Sequence, residues 1–240
     1  MTVNLAKEPE FYESSINIQT LLVVLLGLIE GLLLAALLLP RWLPNMAVSL
    51  MGSDPKGFWY LARGSAFVGF LLLWFSMALG LSMTNKMAHI WPGGPAVFAV
   101  HEFTSLLGLG FALFHGLILL GDHYIGYTLS QILVPFASHN YLHTWVGIGQ
   151  VGFYFWGIIG FSFYLRKPLG RTTWRLVHYV SFITFGMALI HGLTSGTDSG
   201  TAWAQGIYWF PGGSLLFLLI YRVLVSLPVR GTSKIAKVAE

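Results

Sequence analysis

The stretch GFALFHGL at residues 110–117 recurs as GMALIHGL at residues 186–193, and Val100-His101 has a counterpart in Val177-His178. Both copies sit in apolar runs that reach the roughly 20 residues a membrane helix needs. The repeat therefore describes two membrane helices that each carry two histidines. Fourteen steps separate His101 from His115, and thirteen separate His178 from His191. At about 1.5 Å per residue, both intervals are roughly 20 Å, so each helix places one histidine near each face of the hydrocarbon layer.

Further apolar runs flank these two. Across the chain they fall at about 18–40, 58–82, 96–120, 142–165, 174–195 and 206–227, with turn-rich breaks such as GSDP (52–55) and WPGGP (91–95) between them. Charged residues make up only 9% of the 240 and apolar ones 55%, against about 25% charged in soluble domains. The expected fold is an all-α membrane protein: a six-transmembrane-helix bundle over 18–227, with short segments 1–17 and 228–240 outside it. Glu8, Glu10 and Glu13 replace the basic start of a signal peptide, so the first run reads as a retained span. An even number of spans puts both termini on one side. That side would carry Lys7, Lys86, Arg166, Lys167, Arg171, Arg175, Arg222, Arg230, Lys234 and Lys237, and the other would carry Arg41, Lys56 and Arg63. The bias implies a multi-pass cell-membrane protein with cytoplasmic termini and gives no support to nucleic-acid binding. The connection 121–141, free of lysine and arginine, is then external. Leu129, Ile132, Leu133 and Phe136 in it follow a helical stripe that suits a helix lying on the membrane surface. Pro135 argues equally for an irregular loop.

With the third and fifth spans parallel, His101 meets His178 at the cytoplasmic level and His115 meets His191 at the external one. The chain has no cysteine, which removes iron–sulfur ligation and thioether haem attachment. Zinc would lack two protein ligands at each level. Haem iron needs only two axial ligands, so the pattern implies two b-type haems stacked between the third and fifth helices. Fourteen steps return to within about 40° of the starting face of a helix, but thirteen miss it by about 140°. A bulge, tight turn or marked tilt is therefore expected between His178 and Gly186. Gly108, Gly110 and Gly186 lie between the levels, where they suit either close approach of a flat macrocycle or helix packing.

These residues resemble the ferric reductase-like transmembrane domain shared by NADPH oxidases, ferric reductases and the haem-binding membrane subunit of bacterial methionine sulfoxide reductase. The resemblance covers residues 58–195 and rests on the two histidine pairs and on LARGS at 61–65. It implies axial ligation by His101, His115, His178 and His191, transmembrane electron transfer, and an arginine, here Arg63, close to the outer haem. The flavin and nicotinamide domain of many relatives has no counterpart in these 240 residues. The expected role is thus an electron-transfer subunit of an oxidoreductase, working with membrane lipid and a separate redox protein, or with a quinone or loosely held flavin. The alternatives are a self-contained quinol-dependent reductase of oxygen, a metal ion or another small acceptor, and a haem-free structural or transport subunit.

Other polar residues stand out by depth. Arg63, inside its span, needs a partner such as a haem propionate or a small acceptor, unless it snorkels. Arg171 and Arg175 could pair with propionates of the inner haem or simply serve the charge bias. Glu102 could compensate an arginine or relay protons. Glu30, in mid-span, suits a quinone or proton role or a protonated interhelical hydrogen bond. His123, His139 and His143 cluster on the external side, the last two at the four-step spacing of a helical metal pair. Trp42, Trp59, Trp91 and Trp203 suit interfacial anchoring.

Overall fold

The computed structural model describes residues 16–51, 56–85, 93–139 and 141–226. Of these, 84% are helical and none is in a strand. The helices are α1 (Ile18–Trp42), α2 (Pro44–Met51), α3 (Gly57–Thr84), α4 (Gly94–Ile118), α5 (Leu129–Leu133), α6 (His143–Ser162), α7 (Arg166–Leu169), α8 (Arg171–Ser195) and α9 (Ala202–Ser226). Four of them, α3, α4 with its terminal 3₁₀ turn, α8 and α9, are long and apolar enough to cross a membrane. The six apolar runs of the sequence correspond to α1, α3, α4, α6, α8 and α9. The GSDP break, Lys86, Trp91 and the charged terminal segments lie outside the described residues.

α3 is the central element, packing along α4 and also against α8 and α9, while α6 packs along α8. The apolar core gathers Phe70, Leu73 and Met77 of α3, Leu109 of α4, Trp156 of α6, Phe185 of α8 and Tyr208 and Leu215 of α9. Small residues set the close approaches. At Gly69 an added Cβ would already touch the Gly108 carbonyl and the Ala112 amide, both at 3.5 Å, so α3 and α4 lie nearly backbone to backbone. α4 and α8, the two histidine helices, make no comparably extensive contact. α4 packs along α3 instead, and α8 along α6.

α8 is an unbroken α-helix from Arg171 to Ser195, with neither a bulge nor a tight turn between His178 and Gly186, which leaves a tilt as the remaining one of the three expected ways to bring both histidines to α4. Gly108, Gly110 and Gly186 line neither of the two cavities at the histidine pairs, and Gly108 takes the helix-packing role that the sequence left open beside close approach of a flat ligand. Gly108 is packed against the Trp156 indole, Gly110 is exposed, and Gly186 has no neighbour near its Cβ position. Repeated sequence marked these glycines, but packing decides which ones face a cavity.

The connection between α4 and α6 combines both sequence readings. Thr128 and Gln131 form a reciprocal capping box that starts α5, satisfying two end groups of the helix. The helix stops within two turns because Val134, preceding Pro135, is held extended at φ −97°, ψ 115°. Gln150 of α6 donates to the Gln131 and Ile132 carbonyls at 2.7 Å, and the Tyr154 hydroxyl donates to that of Leu133. Part of the apolar stripe thus turns onto the protein: Ile132 and Leu133 line a cavity, and Phe136 lies against Gly147.

Candidate functional site

His101 and His115 project from α4, and His178 and His191 from α8. The rings of His101 and His178 face each other with centroids 6.1 Å apart, and those of His115 and His191 with centroids 6.3 Å apart. The pairing by level follows the expectation from spacing. An imidazole nitrogen binds an ion at about 2.0–2.1 Å, which places the ring centroid about 3.2 Å from it. Two rings at the observed separations would then subtend about 145° and 160° at a shared ion, which is close to opposite sides.

Local contacts fix how the rings stand. His115 Nδ1 donates to the Ala62 carbonyl at 2.8 Å, His191 Nδ1 to the Trp145 carbonyl at 3.0 Å and His101 Nδ1 to the Ser76 carbonyl at 2.7 Å. A nitrogen facing a carbonyl must carry the proton, so in the neutral ring Nε2 keeps its lone pair. This is the arrangement in which outer contacts orient a metal-binding histidine. His178 is instead tilted over Trp174, with centroids 5.2 Å apart. Glycines make room for two of the rings. A Cβ at Gly149 of α6 would lie 2.6 Å from His191 Nδ1, and one at Gly80 of α3 would lie 3.4 Å from the His101 ring.

Each pair opens on a cavity. That of His101 and His178 encloses about 620 Å³ and has Arg166, Arg171, Arg175 and Arg222 at its rim, with the buried Glu102 on its wall. The second, at His115 and His191, is tighter, about 180 Å³, and is covered by α5 and the residues before it, including Tyr127 and Gln131. Burial pushes the Tyr127 phenol above its ordinary pKa. Trp156, Leu73 and Thr184 line both cavities, so the buried Trp156 indole is part of the partition between levels.

The remaining sequence candidates separate. Arg171 and Arg175 line the first cavity, as expected of residues one and two turns before His178. Arg175 also donates to the Tyr179 hydroxyl at 3.0 Å. Arg63 lines neither cavity. Its partner is Asp198, in the turn between α8 and α9, with Arg63 Nε 2.6 Å from Asp198 Oδ2, and its guanidinium lies 4.0 Å over the Trp59 ring. The sequence reading missed Asp198, although it is the one carboxylate in the connection expected on the same side of the membrane. Arg166, Arg222, Gly149 and Gly80 were also missed as site residues. Glu30 is exposed on α1 and lines neither cavity. Among the described residues no group of three or more His, Cys, Asp or Glu is placed to share a metal ion, so His123 does not join His139 and His143. Against protein families, curated proteins and solved structures, the chain has no match.

Proposed function

We propose that this chain is a six-span dihaem cytochrome b of the ferric reductase-like kind, the membrane electron-transfer subunit of an oxidoreductase. The observation that carries the reading is the pair of matched imidazole separations, 6.1 and 6.3 Å, on two helices kept apart. Helices in van der Waals contact would leave no gap for a macrocycle, and histidines used only for packing have no reason to repeat one separation at two levels.

The residues fit two haems in chemistry as well as spacing. His101, His115 and His191 keep the Nε2 lone pair for a metal because Nδ1 is committed to a carbonyl. Bound haem would supply one-electron redox chemistry at each level. Arg171, Arg175, Arg166 and Arg222 place positive charge where propionates would leave the first cavity. The tighter second cavity admits a planar ligand only if wall side chains such as Tyr127 or Ile132 turn aside. Trp156 fills the space between levels with a polarisable ring and excludes water there. The arginine rim also suits an acidic redox partner or the phosphate of a loosely held flavin. Gln131, Gln150, Tyr127 and Tyr154 around the second cavity favour, as a second reading, a quinol or other small hydrogen-bonding reactant at that level.

The orientation we propose puts both termini and the arginine rim in the cytoplasm and α5 outside the cell membrane. A reduced-minus-oxidised spectrum with haem quantification on the purified chain tests the reading. Two b haems per chain are expected. Fewer than one haem per two chains overturns it in favour of a haem-free structural or transport subunit.

A further inference from the structure

We infer that His139 and His143 form a separate binding site for a divalent transition cation, at the start of α6. The inference goes beyond the dihaem reading and does not depend on it. Both side chains are exposed, and their ring centroids are 5.4 Å apart. With a centroid about 3.2 Å from a bound ion, this separation corresponds to about 115° at the ion. That is close to the tetrahedral angle and well short of the near-opposite arrangement of the two intramembrane pairs. The same ring type thus occurs at two spacings, and the shorter one suits two adjacent corners of a coordination sphere.

The backbone gives this pair its shape. Leu142, between the two histidines, is left-handed at φ 34° and caps α6. His143 is the first residue of α6, and His139 belongs to the loop that precedes it. A non-glycine residue with positive φ is uncommon. Here it turns the chain so that a loop histidine and a helix histidine converge. Residues 121–141 contain no lysine or arginine to repel a cation. Two imidazoles alone leave the remaining coordination positions to water or to a small ligand. Imidazole donors suit zinc and copper, with Cu²⁺ held more tightly than Zn²⁺. The site begins two residues before Trp145, whose carbonyl holds His191, so a bound cation would sit within one helical turn of that anchor.

The full chain in lipid nanodiscs, titrated with Cu²⁺ alone, provides the test. One equivalent is expected to give an electron paramagnetic resonance spectrum with coupling to two imidazole nitrogens, displaced by excess Zn²⁺. His139→Gln and His143→Gln should each weaken Cu²⁺ binding at least about tenfold, and His123→Gln should leave it unchanged. In the unaltered chain, Zn²⁺ should protect His139 and His143, but not His123, from carbethoxylation read by mass spectrometry. Equal Cu²⁺ uptake by the double variant and the parent overturns the site, as does equal modification of the three histidines with and without Zn²⁺.

Discussion

An imidazole offers two nitrogens, and this chain uses them differently. Committing Nδ1 to a backbone carbonyl costs nothing in coordination, because it fixes the tautomer that leaves Nε2 available. Replacing His115 or His191 by alanine should therefore halve haem content and leave the first level spectroscopically intact, and replacing His101 or His178 should do the converse. Loss of both haems from any single replacement would contradict the assignment by level. Gly149→Ala tests the support of the ring rather than the ligand, since the new Cβ would stand 2.6 Å from His191 Nδ1. It should perturb the second-level spectrum while helicity is kept, and an unchanged spectrum would mean that the ring has room to retreat. The Arg63–Asp198 pair is a residue-scale feature of another kind. Removing one partner of a charge-assisted hydrogen bond costs about 1.5–3 kcal/mol. Arg63→Ala should destabilise the chain by that order in thermal unfolding, and most of the loss should disappear when Asp198→Asn is already present. The histidines were legible because spacing and repetition act along one helix. Asp198 was not, because its partner lies 135 residues away and no local pattern connects them.

At the scale of elements, α8 is the informative case. Thirteen steps of an unbroken helix leave His178 and His191 about 140° apart in azimuth, yet both meet partners on α4. The backbone of α8 does not break to absorb the difference. A seam of parallel helices in close contact would not allow this, whereas helices separated by a cavity can receive rings from different faces. Periodicity therefore gave the right pairs, and of the bulge, tight turn or tilt that it called for, the unbroken α8 leaves the tilt. α5 shows the opposite balance. Its stripe of apolar residues was readable, but whether it meets lipid or protein depended on Gln150 and Tyr154, which lie in another helix. Gln150→Leu removes the donor to the Gln131 and Ile132 carbonyls, leaves that of Tyr154 to Leu133, and should speed amide hydrogen exchange over residues 128–136, leaving α6 protected. Undiminished protection of that segment would show that the Tyr154 hydrogen bond and apolar contacts hold α5 down without Gln150.

For the whole molecule, the number and direction of the spans follow from where charge can stay in water. Four helices meet length and apolarity for crossing a bilayer without reference to their neighbours. α1 and α6 complete six only if both also cross, and α1 contributes little to the core, packing mainly on α2. The arginine rim and α5 then belong on opposite sides, because α4, α6 and α8 alternate between them. The absence of cysteine makes this directly measurable, since each engineered thiol is the only one present. Ser130→Cys on α5, Lys167→Cys on α7 and Ser226→Cys at the end of α9 all replace exposed residues. With six spans and cytoplasmic termini, a membrane-impermeant maleimide should label the first in intact cells and the other two only after permeabilisation. The inverse pattern would keep the bundle and reverse its orientation in the membrane. Accessibility of Lys167→Cys and Ser226→Cys from different sides would break the alternation itself, because α8 and α9 together must bring the chain back to the face from which it left.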